Sequence, residues 1–189
     1  MQAPVVIDLK LVSGVVVTRG NRDIHQVIDQ MRCLGEVVVW DNSCEKNHLV
    51  YGRYKAIGRA KHDVIFTVDD DALVDVAKIV SEYEPGKLVC NMKPGHHDAY
   101  RGTGIALIGH GSVFDKSLVD FSAYLARFPQ DEVFERECDR VFTWLNRDRF
   151  KWIALPICDL EHASQPGCMW MEPRHGDDLV EIKRRLAVL

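Results

Sequence analysis

The sequence lacks several features that would place a protein quickly. No apolar stretch nears the ~20 residues a membrane-spanning helix needs, although 47% of the 189 residues are hydrophobic, so a soluble globular chain without membrane contact is expected. The N-terminal stretch "MQAPVVIDLKLVSGVVV" has neither a basic n-region nor a continuous apolar h-region, and a cytoplasmic setting is the expectation. Cysteine is present but unorganised. Cys33, Cys44, Cys90, Cys138, Cys158 and Cys168 form no CxxC pair and no regular framework, which argues against a disulfide scaffold or a thiolate zinc site. Positive charge is not in excess either. With 24 basic against 28 acidic residues and a net charge of −4, the chain cannot grip nucleic acid by charge alone, although local basic patches remain open. There is no internal repeat, low-complexity tract or linker, and the length suits one domain spanning 1–189.

What the chain does have is alternation. "LVSGVVVTRGN" reads as a buried strand closed by turn residues, and "DIHQVIDQMRCLG" follows with apolar residues at helical spacing and a terminal Gly35. "EVVVWDNS" is a second β-branched run, residues 48–61 a second helix, and "DVIFTV" a third strand. This rhythm predicts an α/β domain with a mostly parallel sheet and flanking helices. Ligands of such sheets collect at the carboxyl ends of the strands. All three strands end in polar groups: Thr18, Arg19 and Asn21; Asp41 and Asn42; Asp69, Asp70 and Asp71. Farther on, "DVAKIVSEY" predicts a helix, "GKLVCNM" a strand, "GIALIGHGSVF" a strand and turn, "KWIALPI" a strand and "DDLVEIKRRLAVL" a last helix. "KPGHHDAYRGTG" is a polar, Gly-rich loop over the site. The helix "DEVFERECDRVFTWLNR" sets Val133, Phe134, Val141, Phe142 and Leu145 near one face, with Glu137 and Asp139 by its polar side.

The acidic triplet in "DVIFTVDDDALV" is the sharpest signal. Alternate residues of a strand point the same way, so Asp69 and Asp71 are expected to share one side and Asp70 to face the other. Two carboxylates so spaced can divide a metal–nucleotide between them, one taking a divalent cation and the other a ribose hydroxyl. Hard oxygen ligands with water positions left open favour Mg²⁺ or Mn²⁺ bridging two phosphates. The plainer alternative is a solvated strand-to-helix turn in which one Asp caps a helix beginning at Ala72.

The ordered set "VVVWDN", an Arg-bearing helix, "VDDDALV", "RGTGIALIGHGSVF", "ECDRVF" and "GCMWMEPRH" resembles nucleotide-sugar glycosyltransferases of the GT-A fold. It is most similar to the exostosin-type transferase domain, where an Asp run carrying the DXD motif, a late Met-Trp and a His five residues after that Trp come in the same order. The likeness covers residues 12–186, with a nucleotide-binding half over about 12–75 and an acceptor and catalytic half over about 88–186. It implies that Asp71 ligates Mn²⁺ or Mg²⁺ and that Asp69 or Asp70 contacts the ribose of a UDP-sugar. Thr18, Asn21 and Arg22 would meet the base, with Asp41 and Asn42 matching the family's polar pair. Arg53 falls where the family has an Arg near the diphosphate, against the alternative of an exposed helix Arg. His175 matches the late His, as metal ligand or diphosphate contact, with His162 as competitor. Asp139 or Glu137 would be the reacting acid. This chain departs from the pattern at Arg140, where the family has a second acid, and at Leu179, where it has an Arg.

The reaction so implied transfers a sugar from a nucleoside diphosphate to a hydroxyl. The helix acid would act as general base if the outcome is inverting, or support a front-face or covalent route if retaining, the outcome the resemblance suggests. Small relatives of this kind are similar to phage-type and base-J-type enzymes that glycosylate hydroxymethylated pyrimidines in DNA, which would place a phage-encoded protein in the host cytoplasm. His96, His97, Tyr100 and Arg101 could then hold an extruded base, with Arg53/Lys55/Arg59/Lys61 and Lys183/Arg184/Arg185 meeting phosphate. The alternatives are a transferase acting on a protein or glycan hydroxyl, a sugar nucleotidyltransferase, for which "TRGNRD" is a poor phosphate loop, and a non-catalytic nucleotide-binding module.

Overall fold

A computed structural model of the chain describes residues 7–93, 100, 102–160 and 172–189. Strand β1 (Val12–Thr18) leads through helix α1 (His25–Gln30) to β2 (Glu36–Asp41). A 3₁₀ turn at Leu49–Tyr51 and helix α2 (Gly52–Arg59) return the chain to β3 (Val64–Thr67). These three β-branched runs pair parallel, β1 lying between β2 and β3. The second half adds β4 (Ala72–Val74), α3 (Val76–Ser81), β5 (Leu88–Asn91), β6 (Ser112–Asp115), a short helix α4 (Ser122–Leu125), α5 (Glu132–Leu145), β7 (Phe150–Ile153), β8 (Ile157–Asp159) and α6 (Arg174–Leu186).

The main sheet runs β2-β1-β3-β6-β5-β7. Of its six strands only β6 is reversed, antiparallel to β3 and to β5. The sheet is therefore mostly parallel, as expected, with one strand inverted. Strand alternation sends Val12 and Val16 to one face and Val15 to the other. On the first face α1 packs close enough that a side chain at Gly14 would sit 2.9 Å from the Met31 sulfur. On the second, α2, α5 and α6 bury Ile57, Phe134, Phe142 and Ile182 against Ile65 and Phe114. Among the described residues no helix is long and apolar enough to cross a membrane.

Three local expectations change. The plainer alternative of a helix from Ala72 fails: Ala72–Val74 is a strand pairing antiparallel with β8, while the helix expected in "DVAKIVSEY" runs Val76–Ser81, capped by Asp75 accepting from the Lys78 amide at 2.9 Å. No member of the triplet caps a helix beginning at Ala72. Residues 104–111 form no strand; a 3₁₀ turn at Ile108–His110 precedes β6. Glu137 does not sit on a polar face but is buried, because α6 covers a second side of α5.

Candidate active site

The carboxyl ends of the first three strands lie side by side. At the end of β1, the Thr18 hydroxyl accepts from the Gly20 amide at 3.2 Å, and the Thr18 carbonyl accepts from the Asn42 amide at 2.9 Å. Gly20 adopts φ +77°, and a Cβ there would fall 2.2 Å from Asp41 Oδ1 and 2.0 Å from Ser43 Oγ, so only glycine lets the two strand ends close together. Asn21 is exposed and Arg22 half-buried. Asp41 accepts from the Ser43 hydroxyl at 2.7 Å and the Ser43 amide at 2.8 Å, bonds that hold its carboxyl below the usual range. Asn42 works within its own loop. It accepts from Trp40 Nε1 at 3.1 Å and the His48 amide at 2.9 Å, and donates to the Leu49 carbonyl at 3.0 Å.

β3 stops at Thr67, so the triplet sits in the turn between β3 and β4 and strand alternation does not set its directions. Backbone bonds pin the turn at both ends: the Asp69 amide donates to the Gly109 carbonyl and the Leu160 amide to the Asp71 carbonyl, each at 2.8 Å. The turn that follows Gly109 is held in its place by the buried Asn91, whose side-chain Nδ2 donates to the His110 carbonyl at 3.1 Å and whose backbone amide donates to the Gly111 carbonyl at 2.9 Å. Asp69, Asp70 and Asp71 are all half-buried.

A cation does receive Asp69. Arg53, on α2, is buried with 1% of its side chain exposed, and its two terminal nitrogens donate separately to Asp69 Oδ1 and Asp139 Oδ2. Burial opposes its charge, but the two carboxylates more than restore it and hold Arg53 protonated. Arg53 is therefore not the exposed helix residue of the plainer alternative; it sits at the ends of the strands and joins two acids there. Its Nε is buried without a hydrogen-bond partner among the described residues.

Asp139 projects from α5 into the same cluster, with its Oδ1 accepting from the Tyr54 hydroxyl at 2.8 Å. Burial pushes its carboxyl above the ordinary range, and the neighbouring Asp69 charge adds to this, while Arg53 and Tyr54 pull it back. Glu137 faces elsewhere. Its Oε2 accepts from Arg140 Nε at 2.7 Å, and His175 Nδ1 lies 3.1 Å from its Oε1. The structure thus separates the two candidate acids: Asp139 joins the triplet, and Glu137 joins His175. Beside that pair, Glu172 accepts from Arg136 at 2.6 Å and from Arg19 at 3.2 Å, tying the start of α6 to the end of β1.

His96, His97, Arg101 and His162 lie outside the described residues. Tyr100 lines an open cavity of about 450 Å³ with Gly104, Trp144, Arg147, Phe150 and Trp152. The two basic clusters are largely occupied. Besides buried Arg53, Arg59 binds Glu45 at 2.8 Å and covers the Trp40 ring, and Lys55 lies 5.3 Å from the Tyr51 ring. Arg184 and Arg185 both bind Glu181 at 2.8 Å, and Arg185 also reaches Asp131 at 2.7 Å.

The mostly parallel six-stranded sheet with β6 inverted, flanked by helices and joined by a separate two-stranded sheet, is a mixed α/β domain of GT-A-like architecture. No family model matches the sequence, and no curated protein matches it. Solved structures of glucosyl-3-phosphoglycerate synthase from Mycobacterium tuberculosis share the architecture. One, in complex with Mn²⁺, UDP-glucose and phosphoglyceric acid, aligns with a TM-score of 0.56 and 13% identity over 93% of this chain and 79% of that chain. A second, with Mg²⁺ and UDP, aligns equally well, and a third, with Mn²⁺, UDP and glucosyl-3-phosphoglycerate, gives a TM-score of 0.51 at 14% identity. At such identity the likeness is one of fold.

Proposed function

We propose that this protein is a metal-dependent glycosyltransferase that moves a sugar from a nucleoside diphosphate, a UDP-sugar in the first instance, to an acceptor hydroxyl. The observation that carries the reading is the Asp69–Arg53–Asp139 bridge. It brings an acid from the end of a parallel strand and an acid from a helix 70 residues later to one buried guanidinium, in a fold whose solved neighbours hold UDP and a divalent ion.

The donor set suits Mn²⁺ or Mg²⁺. Among the described residues no three His, Cys, Asp or Glu side chains are placed to hold a metal ion together, and an ion carried in with a nucleotide would need only one or two carboxylates from the protein. Asp71 would hold it; His175, the other expected ligand, has its Nδ1 turned to Glu137, on the side of α5 away from the triplet. When bound, the ion supplies positive charge to the departing phosphate. In the transfer, the bond from the anomeric carbon to the β-phosphate oxygen breaks with its electron pair on oxygen. The bond to the acceptor oxygen forms, and the acceptor proton leaves. Asp139, an acid with a solvent-facing edge beside the triplet, is the group to receive that proton or to steady the anomeric charge. Glu137 is the less suitable acid, being buried against Arg140. Asp69 or Asp70 would meet the ribose, and Thr18, Asn21, Arg22 and Asp41 would line the base side.

For the acceptor, a glycan or protein hydroxyl now suits the surface better than hydroxymethylated DNA, because the arginines expected to meet DNA phosphate are engaged, Arg59 with Glu45, Arg184 with Glu181 and Arg185 with Asp131. The test is incubation with Mn²⁺ and a panel of nucleotide sugars, reading nucleoside diphosphate release. Glycan acceptors and DNA containing 5-hydroxymethylcytosine or 5-hydroxymethyluracil are added in separate arms and weighed by mass spectrometry. Mn²⁺-dependent release that chelation abolishes supports the reading. Binding without release from any donor would identify a nucleotide-binding module instead.

A further inference from the structure

Tyr54 is a buried tyrosine whose ring already has all the packing a phenylalanine would need. It meets Phe121 edge-on at 4.8 Å between centroids and Phe142 at 5.5 Å. A hydroxyl in such a place requires a partner, and the partner it has is a carboxylate. That carboxylate belongs to Asp139, whose other oxygen is taken by Arg53 and whose side chain keeps 24% of its surface exposed. Both oxygens are thus fixed, one each, by consecutive residues of α2. A carboxylate held by a single donor can turn about its Cβ–Cγ bond; one held at both oxygens cannot.

Building on the transferase reading, we propose that Tyr54 is a positioning residue for the α5 acid, its hydroxyl locking the plane of the Asp139 carboxylate so that one fixed edge faces the cleft beside Asp69. The groups facing Asp139 are few. From α2 come Arg53 and Tyr54, from the end of β3 comes Asp69, and on its own helix the buried Cys138 thiol is pushed well up and stays neutral. Among the described residues Tyr54 therefore supplies the neutral donor to the acid, and a donor to the charged form favours ionisation.

The test compares wild type with Tyr54→Phe, which leaves the ring and removes only the O–H. With UDP-sugar donor, kcat falls about 10- to 100-fold, the size of a hydrogen bond to a charged group, while KM for the donor stays within about twofold. In protein labelled with ¹³C at aspartate carboxyls, with Asp139 assigned by Asp139→Asn, the Asp139 resonance titrates about one to two pH units higher in Tyr54→Phe. Site-specific 3-fluorotyrosine at position 54, a stronger donor of nearly the same shape, moves that titration the other way. A merely structural tyrosine would lower the melting temperature and leave the titration where it was. An unmoved Asp139 titration, or a kcat within twofold of an active wild type, overturns the role of Tyr54 alone. Absence of turnover in the wild type, or full turnover in Asp139→Asn, overturns the transferase reading and this role with it.

Discussion

Replacing Arg53 by methionine removes the charge that joins the two halves of the site while keeping a long apolar side chain in its place. The loss is asymmetric. Asp69 has 42% of its side chain exposed and can rehydrate, whereas Asp139 has 24% exposed and is left with only the Tyr54 hydroxyl. Removing one partner of a buried ion pair costs about 3–5 kcal/mol, and the partial exposure of both acids puts this case near the lower end, about 3 kcal/mol. For a domain of this size that lowers the melting temperature by roughly 6–12 °C. The penalty depends on pH in a defined direction. Without Arg53, the folded-state pKa of Asp139, already raised by burial, rises further above its unfolded value. The folded state then binds more protons than the unfolded one between those two values, so stability falls as pH rises through that window. The gap between variant and wild type is accordingly largest near neutral pH and narrows toward about pH 4. Thermal melts of wild type, Arg53→Met, Asp139→Asn and the double variant complete the argument. Asp139→Asn destabilises when Arg53 is present, because a buried guanidinium loses a charged partner, and stabilises when Arg53 is absent, because the uncompensated acid is gone. Melting of Arg53→Met within about 1 °C of wild type at pH 7, or the same sign for Asp139→Asn in both backgrounds, would refute the buried bridge.

Gly109→Ala places a Cβ 1.8 Å from Asp69 Oδ2, so the carboxylate must swing off Arg53; the expected cost is about 1–3 kcal/mol with a loss of turnover, and a variant with unchanged melting and activity would contradict the close approach. Asp71→Asn should abolish Mn²⁺ binding by calorimetry and reduce Mn²⁺-dependent UDP release by about 100-fold or more with an unchanged circular dichroism spectrum; retained ion binding would remove Asp71 from the metal site. Asp131 caps α5 through the Phe134 amide at 3.0 Å and binds Arg185 at 2.7 Å. Burial opposes its charge, but Arg185 and the cap hold its carboxyl below the usual range, so its contribution is present above about pH 4 and is lost as pH falls. Asp131→Ala should therefore melt about 4–8 °C below wild type at pH 7 and converge with it on acidification, and a pH-independent difference would contradict the assignment.

Much of the first half was legible because long β-branched runs separated by turn residues admit few readings, and β1, β2 and β3 fall within the stretches that predict them. The second half was less so. β4 and β8 are three residues each, too short to show a period, and the reversal of β6 is a matter of its pairing with β3 and β5, which composition does not record. The ends of the strands could be named as ligand-facing from topology alone. The Arg53–Asp139 contact could not, since the partners lie 86 residues apart and nothing in "GRYKAIGR" shows, beyond a resemblance that sets its arginine near a diphosphate, which acids that arginine meets once α5 packs over α2. Glu137 misled for the same reason: the periodicity of α5 shows one apolar face, whereas α6 encloses a second. The one available clue to Tyr54 was an aromatic beside a charge within an otherwise apolar helical face, too common a pattern to single out.

Crystals grown with Mn²⁺ and UDP test the central claim most directly. The account predicts a manganese ion bonded to the Asp71 carboxylate and bridging the two phosphates, the ribose beside Asp69 or Asp70, and Arg53 still joining Asp69 to Asp139. Nucleotide bound away from the ends of β1, β2 and β3, or a manganese ion with no oxygen from the acidic turn in its shell, would contradict it.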